Sequence, residues 1–419
     1  MNVGIVSLLL LLAVIVICAK KGTNPGILGL LFSFALGFFI VIEGGVTVSS
    51  VGGACAAILA GFPRNTFLRF VFIATLFGIA KLNGTLTRIV YSMLRLIRGR
   101  IKLVPVVLFV LLSVIGFFGG GGIPLLMIFM MITADICKET KLDYFKVATP
   151  VYAGQLVGIN SHMSVLGLVT QEYAGRYGFD ISTSLALTSL LYYVLSFIVL
   201  YFIMGCHKFK DQPLESIPVP EKFEAVHIRS TIALVLFAVL ALAKFEVAIV
   251  SIAIAAVLVY TDNLNEKDII AMVPWPTMIM IAGMGMFVAT IQAAGGVTVL
   301  SDTLNSLMTE RTAAPLFALI GSTLSMVADG GGTITPAMVP VASELAISGG
   351  LDGVKLIVAL TLGMCTTSYS PISTAGATVL SCQTGYDNPT KLYIKLLITS
   401  IIWSAFQLIL VTLNVFILV

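Results

Sequence analysis

The chain has 419 residues, of which 58% are hydrophobic and 11% charged; its mean hydropathy is +1.06 and its formal net charge is +4. Soluble domains carry about 25% charged residues, so this composition excludes a soluble globule and predicts an all-α polytopic membrane protein. No basic patch interleaved with aromatic residues is present, so nucleic acid is not an expected partner. The six cysteines form no CxxC pair, which predicts neither disulfides nor a metal cluster.

The first half opens with three predicted spans, Val3–Ala19, Gly26–Ile42 and Asn65–Leu82, with a small glycine-rich segment at Val46–Gly61. The first span is predicted to be retained, because its lysines follow the apolar stretch instead of preceding it as in a signal peptide. Gly84–Lys102 holds five basic residues and no acid among apolar positions. This pattern predicts an amphipathic helix in the membrane interface.

Two interruptions follow in the first half. Residues 103–142 are two short apolar arms around Gly119–Pro124, which predicts a re-entrant hairpin. Residues 147–175 are apolar except for the polar run Gly158–Ser164, which predicts a broken helix. In a bilayer, unpaired backbone is tolerated only where it is buried in protein or lines a wet cavity. A continuous span, Ser182–Met204, closes this half.

A hydrophilic linker at 207–229 leads into a second half with the same order of elements. Its predicted elements are the spans Thr231–Lys244, Val247–Tyr260 and Thr277–Ala293, the amphipathic segment Gly296–Arg311, the hairpin 313–350, the broken helix 354–385 and the closing span Leu392–Leu418. The hairpin breaks at Asp329–Pro336 and the helix at Thr366–Thr374. Glycine and proline cost about 1 and 3 kcal/mol in a helix interior, so neither stretch continues a helix.

The two halves also share individual residues. Pro63, Thr66, Gly84 and Gly119–Gly121 recur 211 positions later, and Ser161, Ser164 and Gly167 recur 209 positions later. Residues 1–206 and 230–419 are therefore predicted to be repeats, each with five spans, one of them broken, plus a re-entrant hairpin. An odd number of spans makes the repeats inverted. Chance agreement in a chain rich in Leu, Ala and Gly is the alternative.

The basic residues predict the orientation. With an external N-terminus, 18 of the 24 Lys and Arg residues fall in cytoplasmic segments, as the positive-inside rule requires. This count predicts a multi-pass protein of the cytoplasmic (inner) membrane with both termini external. The first hairpin then enters from the cytoplasm and the second from outside.

Inverted repeats with matched broken helices predict a secondary transporter whose site lies near the midplane. Free N–H groups at half-helix N-termini suit an anion, and unwound carbonyls suit a cation. The predicted substrate-binding residues are Gly121, Gly122, Asn160, Ser161, His162, Ser164, Gly332, Thr333, Thr335, Ser370, Ser373 and Thr374. The predicted ligands of a sodium ion are Gly120, Gly121, Gly158, Asn160, Asp329, Gly331, Gly332 and Thr367.

Each of these residues has a structural alternative. Glycines permit close helix packing, and buried Ser or Thr hydroxyls often bond to carbonyls of their own helix. Asp329 is either a cation ligand or proton carrier, or it caps the next turn. His162 is a substrate ligand, a proton carrier or a satisfied buried polar residue.

The order of elements is similar to that of the ion-transporter superfamily, which includes the divalent anion–sodium symporters. Phe62-Pro63 and the stretch Leu76–Thr85 resemble the signature of MatC-type malonate/dicarboxylate carriers. In the symporters the hairpin tips carry Ser-Asn-Thr, which helps bind sodium and carboxylate. The matching positions here are Gly120–Gly122 and Gly331–Thr333, where only Thr333 keeps its side chain.

The resemblance implies a homodimer with an elevator-like movement of hairpins and broken helices. The predicted function is sodium-coupled uptake of a small dicarboxylate such as malonate, with no enzymatic activity and no cofactor beyond the coupling ion. Three alternatives stay open at the level of sequence. They are proton coupling through Asp329 or His162, another anion such as citrate or arsenite, and an intramembrane enzyme using the same two residues.

Overall fold

The computed structural model describes residues 3–43, 48–212, 222–326, 328–383 and 389–415. Within these ranges the chain is helical and contains no strand. Residues 213–221 of the predicted linker and 384–388 near the end of the second broken helix lie outside the described part.

The helices of the first half occupy the predicted positions closely. They are α1 (Val3–Lys21), α2 (Pro25–Glu43), α3 (Val48–Ala60), α4 (Arg64–Leu82), α5 (Thr85–Leu96), α6 (Val104–Ile115), α7 (Ile123–Thr140), α8 (Tyr144–Ile159), α9 (Val165–Gly175) and α10 (Ser182–Ile203). The helix α5 buries Leu86, Val90 and Leu94 along one face, as its amphipathic pattern predicts. Its position in a membrane interface stays a prediction.

The second half repeats this order. Its helices are α11 (Ala225–Leu242), α12 (Val247–Asp262), α13 (Glu266–Met272), α14 (Trp275–Ala293), α15 (Gly296–Asn305), α16 (Glu310–Ser325), α17 (Thr335–Gly349), α18 (Gly353–Thr366), α19 (Thr374–Ser381) and α20 (Pro389–Thr412). In the described ranges, seven helical segments are long and apolar enough to cross a membrane. Three shorter apolar helices are Val3–Cys18, Pro25–Phe38 and Val247–Asp262.

Two features of the second half were not predicted. The short helix α13 lies between the predicted spans Val247–Tyr260 and Thr277–Ala293, where no element was predicted. Asn265 caps it by accepting a hydrogen bond from the Lys267 N–H. The helix α11 begins at Ala225, inside the stretch predicted as linker. Its start is stabilised by His227, whose Nδ1 accepts from the Glu224 N–H at 2.9 Å and whose Nε2 lies 3.0 Å from the Asn83 carbonyl oxygen. The helix can therefore begin inside this hydrophilic stretch, because polar groups at its start have hydrogen-bond partners.

Packing between the halves is reciprocal. The helix α2 packs along α14 and α4 along α12, while α9 contacts α17 and α7 contacts α19. The matched prolines before α4 and α14 have nearly the same backbone conformation, φ −79° and ψ 68° at Pro63 and φ −77° and ψ 71° at Pro274. The opposite orientation of the two halves in a membrane stays a prediction.

The α4–α12 contact includes an exposed ion pair. Arg69 donates to both carboxylate oxygens of Glu246, at 2.8 and 2.9 Å. These hydrogen bonds lower the pKa of Glu246, which precedes α12. Because both groups are exposed, the pair contributes little to stability, typically about 0–1 kcal/mol.

Candidate transport site

The first hairpin turns at a run of glycines. The helix α6 runs into a wide, π-helical turn at Gly116–Gly120, and α7 starts after Gly122. Gly119 and Gly122 have φ of +95° and +127°, a region that other residues rarely adopt. A Cβ on Gly158 would lie 2.7 Å from the Gly116 Cα. This tip is therefore packed directly against the end of α8, backbone to backbone.

The second hairpin turns differently. A π-helical turn at Gly330–Ile334 links α16 to α17, and none of its three glycines has a positive φ. Asp329 caps the turn, because its Oδ1 accepts from the Gly332 N–H at 2.6 Å. A Cβ on Gly332 would overlap the side chain of Met280 on α14. The Met280 side chain would have to move to admit a Cβ at this position. The capping role considered for Asp329 is present.

Both broken helices have their unwound segments held by side-chain hydrogen bonds. In the first, the Ser161 hydroxyl donates to the Phe117 carbonyl oxygen at 2.5 Å, which ties the segment to the first tip. Asn160 Nδ2 donates to the Leu156 carbonyl oxygen at 2.7 Å. In the second, the Ser373 hydroxyl donates to the Ser370 carbonyl oxygen at 2.7 Å and accepts from the Gly376 N–H at 3.0 Å.

A cavity of about 640 Å³, here called the central cavity, lies between the two tips and the second unwound segment. The predicted site residues that line it are Gly120, Gly121, Gly122, Asp329, Gly331, Gly332, Ser373 and Thr374. The structure thus brings together two hairpin tips that are about 210 positions apart in the sequence. Their backbone groups face one shared space.

The other predicted residues do not line this cavity. Those buried behind it are Gly158, Asn160, Ser161, Ser164, Thr333, Thr335, Thr367 and Ser370. His162 is exposed to a second cavity of about 450 Å³, here called the His162 cavity, which also contains Arg69, Glu172 and Arg176. Its ring packs edge-on against Phe117, with centroids 5.8 Å apart. Of the predicted site residues, only those that line the central cavity can therefore contact a ligand there directly.

Two buried hydroxyls near the tips have no hydrogen-bond partner among the described residues, Ser164 and Thr333. The Ser164 side chain is fully buried, and a Cβ on Gly121 would lie 2.8 Å from its Oγ. A buried polar atom without a partner costs about 1–3 kcal/mol. The Ser164 oxygen therefore sits beside the first tip with its acceptor and donor capacity unused.

Sequence reasoning missed Lys81. It lies at the end of α4 on a stripe with Phe70, Ala74, Phe77 and Gly78 that lines the central cavity. In the described part of the chain, Lys81 forms no ion pair. Its helical spacing from Phe70 and Phe77 was the signal that could have found it. Tyr152, Gln155 and several methionines also line the cavity and were not predicted.

Two hairpin tips and an interrupted helix around a cavity, inside a bundle of apolar helices, define a polytopic membrane transporter. The particular family follows from the sequence. The profile of the citrate transporter family, CitMHS, matches residues 36–363, and the chain belongs to this family. The description of the family names citrate and not malonate, so the malonate specificity that the resemblance implied stays a prediction.

Solved structures show the same fold at low sequence identity. The YdaH transporter of Alcanivorax borkumensis is 12% identical with a TM-score of 0.64, covering 94% of this chain and 99% of that one. MtrF of Neisseria gonorrhoeae, described as illuminating a class of antimetabolite efflux pumps, is 12% identical with a TM-score of 0.63, covering 87% and 83%. A comparison with curated proteins finds no match.

Proposed function

We propose that this protein is a secondary active transporter that moves a carboxylate anion across the cytoplasmic membrane, coupled to a cation, with sodium as the favoured ion. The observation that carries the proposal is the central cavity, which both hairpin tips and the second unwound segment enclose. Substrate and ion sites of secondary transporters are typically built from interrupted helices in this way.

The anion is assigned to the central cavity. The helices α7 and α19 both begin at its wall, because Gly122, Ser373 and Thr374 line it. Helix N-termini present N–H groups and a partial positive charge to an anion. Lys81 adds a full positive charge to the same space. Citrate is the first anion to test because of the family, and malonate and succinate follow.

The cation is assigned to the first tip. The Ser164 hydroxyl is buried there without a partner in the described chain, next to Gly121. The described residues hold no group of three His, Cys, Asp or Glu side chains that suits a transition metal. Neutral hydroxyl and carbonyl oxygens are instead the ligands of hard cations such as sodium.

Alternating access is proposed from the two cavities. Along α4, Thr66 and Arg69 line the His162 cavity. The residues of α4 that line the central cavity are Phe70, Ala74, Phe77, Gly78 and Lys81. With the N-terminus outside, the central cavity faces the cytoplasm, and the His162 cavity faces outward. Movement of the hairpins and broken helices in a homodimer, with both termini external, completes the proposed elevator mechanism.

Uptake into proteoliposomes tests the proposal. Labelled citrate, malonate and succinate are offered with a sodium gradient, a proton gradient or neither. We expect accumulation of at least one of them that is driven by sodium. In Ser164→Ala, we expect the concentration of sodium needed for half-maximal uptake to rise about tenfold, because the proposed ligand is removed. Uptake that is independent of both the sodium and the proton gradient would contradict coupled transport.

Asp329 separates the sodium proposal from the proton alternative. Asp329→Asn keeps an acceptor for the Gly332 N–H, so we expect transport within about twofold of the original and unchanged coupling. Asp329→Ala loses the cap, and we expect a loss of about 1 kcal/mol in stability. Both variants are measured by uptake and by thermal unfolding. If Asp329→Asn abolishes coupling while the protein stays folded, the carboxylate itself binds the cation or proton.

A further inference from the structure

The wall of the central cavity is mainly apolar. Two aromatic rings of α4, Phe70 and Phe77, line the same space as two methionines. They are Met272 of α13 and Met280 of α14, and Met280 lies beside the second tip. Met127 of α7 completes this apolar wall. Among the described residues, its Lys, Arg, Asp or Glu side chains are those of Lys81 and Asp329, and the Asp329 Oδ1 already accepts a hydrogen bond from the Gly332 N–H.

A compact polyanion matches this wall poorly. Each carboxylate that leaves water needs donors to replace its hydration, and an unpaired charge in an apolar site is costly. Besides Lys81, Asp329 and the N–H groups at the helix starts, the polar side chains of the wall are neutral amides and hydroxyls, those of Tyr152, Gln155, Thr277, Ser325, Ser368, Ser373 and Thr374. Most of its other side chains are apolar. Citrate or malonate placed there would leave the aromatic and methionine side chains facing water or facing charge.

The size of the cavity points the same way. Pockets of about 300–1,000 Å³, lined mostly by apolar side chains with a few placed polar groups, are typical of sites that bury drug-sized ligands. The central cavity, at about 640 Å³, lies in the middle of this range. A malonate ion would fill a small fraction of it.

We propose that the substrate is an amphipathic carboxylate, with its charged end at Lys81 and the tips and an aromatic or branched apolar group against Phe70, Phe77 and Met127. The inference rests on the proposed transport function and narrows its substrate class. It distinguishes this chain's cavity from one built for small, fully charged acids.

Matched ligand pairs test the inference on the purified full-length protein. Binding of succinate is compared with that of benzylsuccinate, and malonate with benzylmalonate, by calorimetry and by inhibition of uptake. We expect the benzyl derivatives to bind at least tenfold more tightly, which is about 1.4 kcal/mol. Benzyl alcohol, which has the ring without the charge, is expected not to compete.

The outcomes separate the two proposals. If the parent acids or citrate bind as tightly as the benzyl derivatives and are transported, the substrate class proposed here is wrong while transport stands. If no carboxylate of either kind binds or is moved, the proposed function itself fails, and this inference fails with it. Competition by benzyl alcohol would contradict the proposed requirement for a carboxylate.

Two methionines of α7 provide a matched pair of variants. Met127 and Met131 are one turn apart and similarly exposed, at 47% and 50%, but only Met127 lines the central cavity. We expect Met127→Ala to weaken benzylsuccinate binding about three- to tenfold more than it weakens succinate binding. Met131→Ala is expected to change neither. If Met127→Ala lowers the affinities for both ligands equally, the apolar wall is not the reason for the selectivity.

Discussion

Gly167→Ala is expected to abolish transport and to lower the thermal stability of the protein, whereas Gly175→Ala on the same helix should leave both nearly unchanged. A Cβ on Gly167 would overlap the carbonyl oxygen of Ser161 and lie 2.8 Å from that of Asn160. Both are backbone atoms of the unwound segment and have no rotamer through which to move away. Overpacking in a close-packed interior costs about 1–3 kcal/mol or more.

Gly175 is the control because it ends the same helix α9 without a tight neighbour. Apart from the backbone of its own helix and its chain neighbours, the nearest heavy atom to its added Cβ is Gln171 Nε2, at 3.6 Å. Alanine is favoured over glycine in helices by about 1 kcal/mol, so Gly175→Ala is expected to be neutral or slightly stabilising. Thermal unfolding and uptake measure both variants. Original activity in Gly167→Ala would contradict a rigid unwound segment.

The second half offers a repeat of the same experiment. Gly376 and Ser370 match Gly167 and Ser161 at an offset of 209 residues. A Cβ on Gly376 would overlap the carbonyl oxygen of Ser370. Gly376→Ala is therefore expected to behave like Gly167→Ala. A difference between the two would indicate that one broken helix tolerates rearrangement and the other does not.

Lys81→Gln is expected to weaken substrate binding by at least tenfold with little change in thermal stability. Lys81 lines the central cavity and has no ion-pair partner in the described chain, so its charge is available to an anion. A hydrogen bond to a charged group contributes about 1.5–3 kcal/mol, and 1.4 kcal/mol is a factor of ten in affinity. Removing the lysine costs the fold little, because no ion pair is broken.

Lys102 provides the control for this change. It is exposed at the start of the α6 arm and does not line the central cavity, so Lys102→Gln is expected to bind substrate normally. Lys81→Arg keeps the charge and is expected to restore part of the affinity. Calorimetry and uptake with the best-binding carboxylate measure all three variants. An unchanged affinity in Lys81→Gln would remove this lysine from the substrate site.

Sequence patterns predicted most of the helices because hydropathy and backbone breakers act locally. Runs of apolar residues reappear as α4, α10 and α14, and the glycine runs at Gly119–Pro124 and Gly330–Pro336 coincide with turns between short helices. The helix α13 was missed because it is short and polar, and its cap is a local side-chain contact that periodicity does not reveal.

The sequence could not show which of the predicted site residues line the central cavity and which are buried outside its lining. Ser161 and Ser370 were expected to face substrate, yet both are fully buried and outside the cavity lining. A mid-span hydroxyl has the same sequence signature whether it bonds to a neighbouring carbonyl or faces a ligand. In the sequence, Lys81 is one of many lysines predicted to be cytoplasmic. Only the position of α4 in the fold shows that it lines the central cavity.

By itself, the sequence determined that the protein is an all-helical membrane protein whose two halves repeat the same elements and interrupt them at the same places. Those features depend on local hydropathy and on glycine and proline, whose effects span a few residues. The tertiary structure alone decided which breaks share a cavity, that Asp329 caps its own turn, that His162 lines a different cavity, and that Lys81 lines the central cavity. These depend on contacts between residues up to hundreds of positions apart, which close packing specifies and local pattern does not.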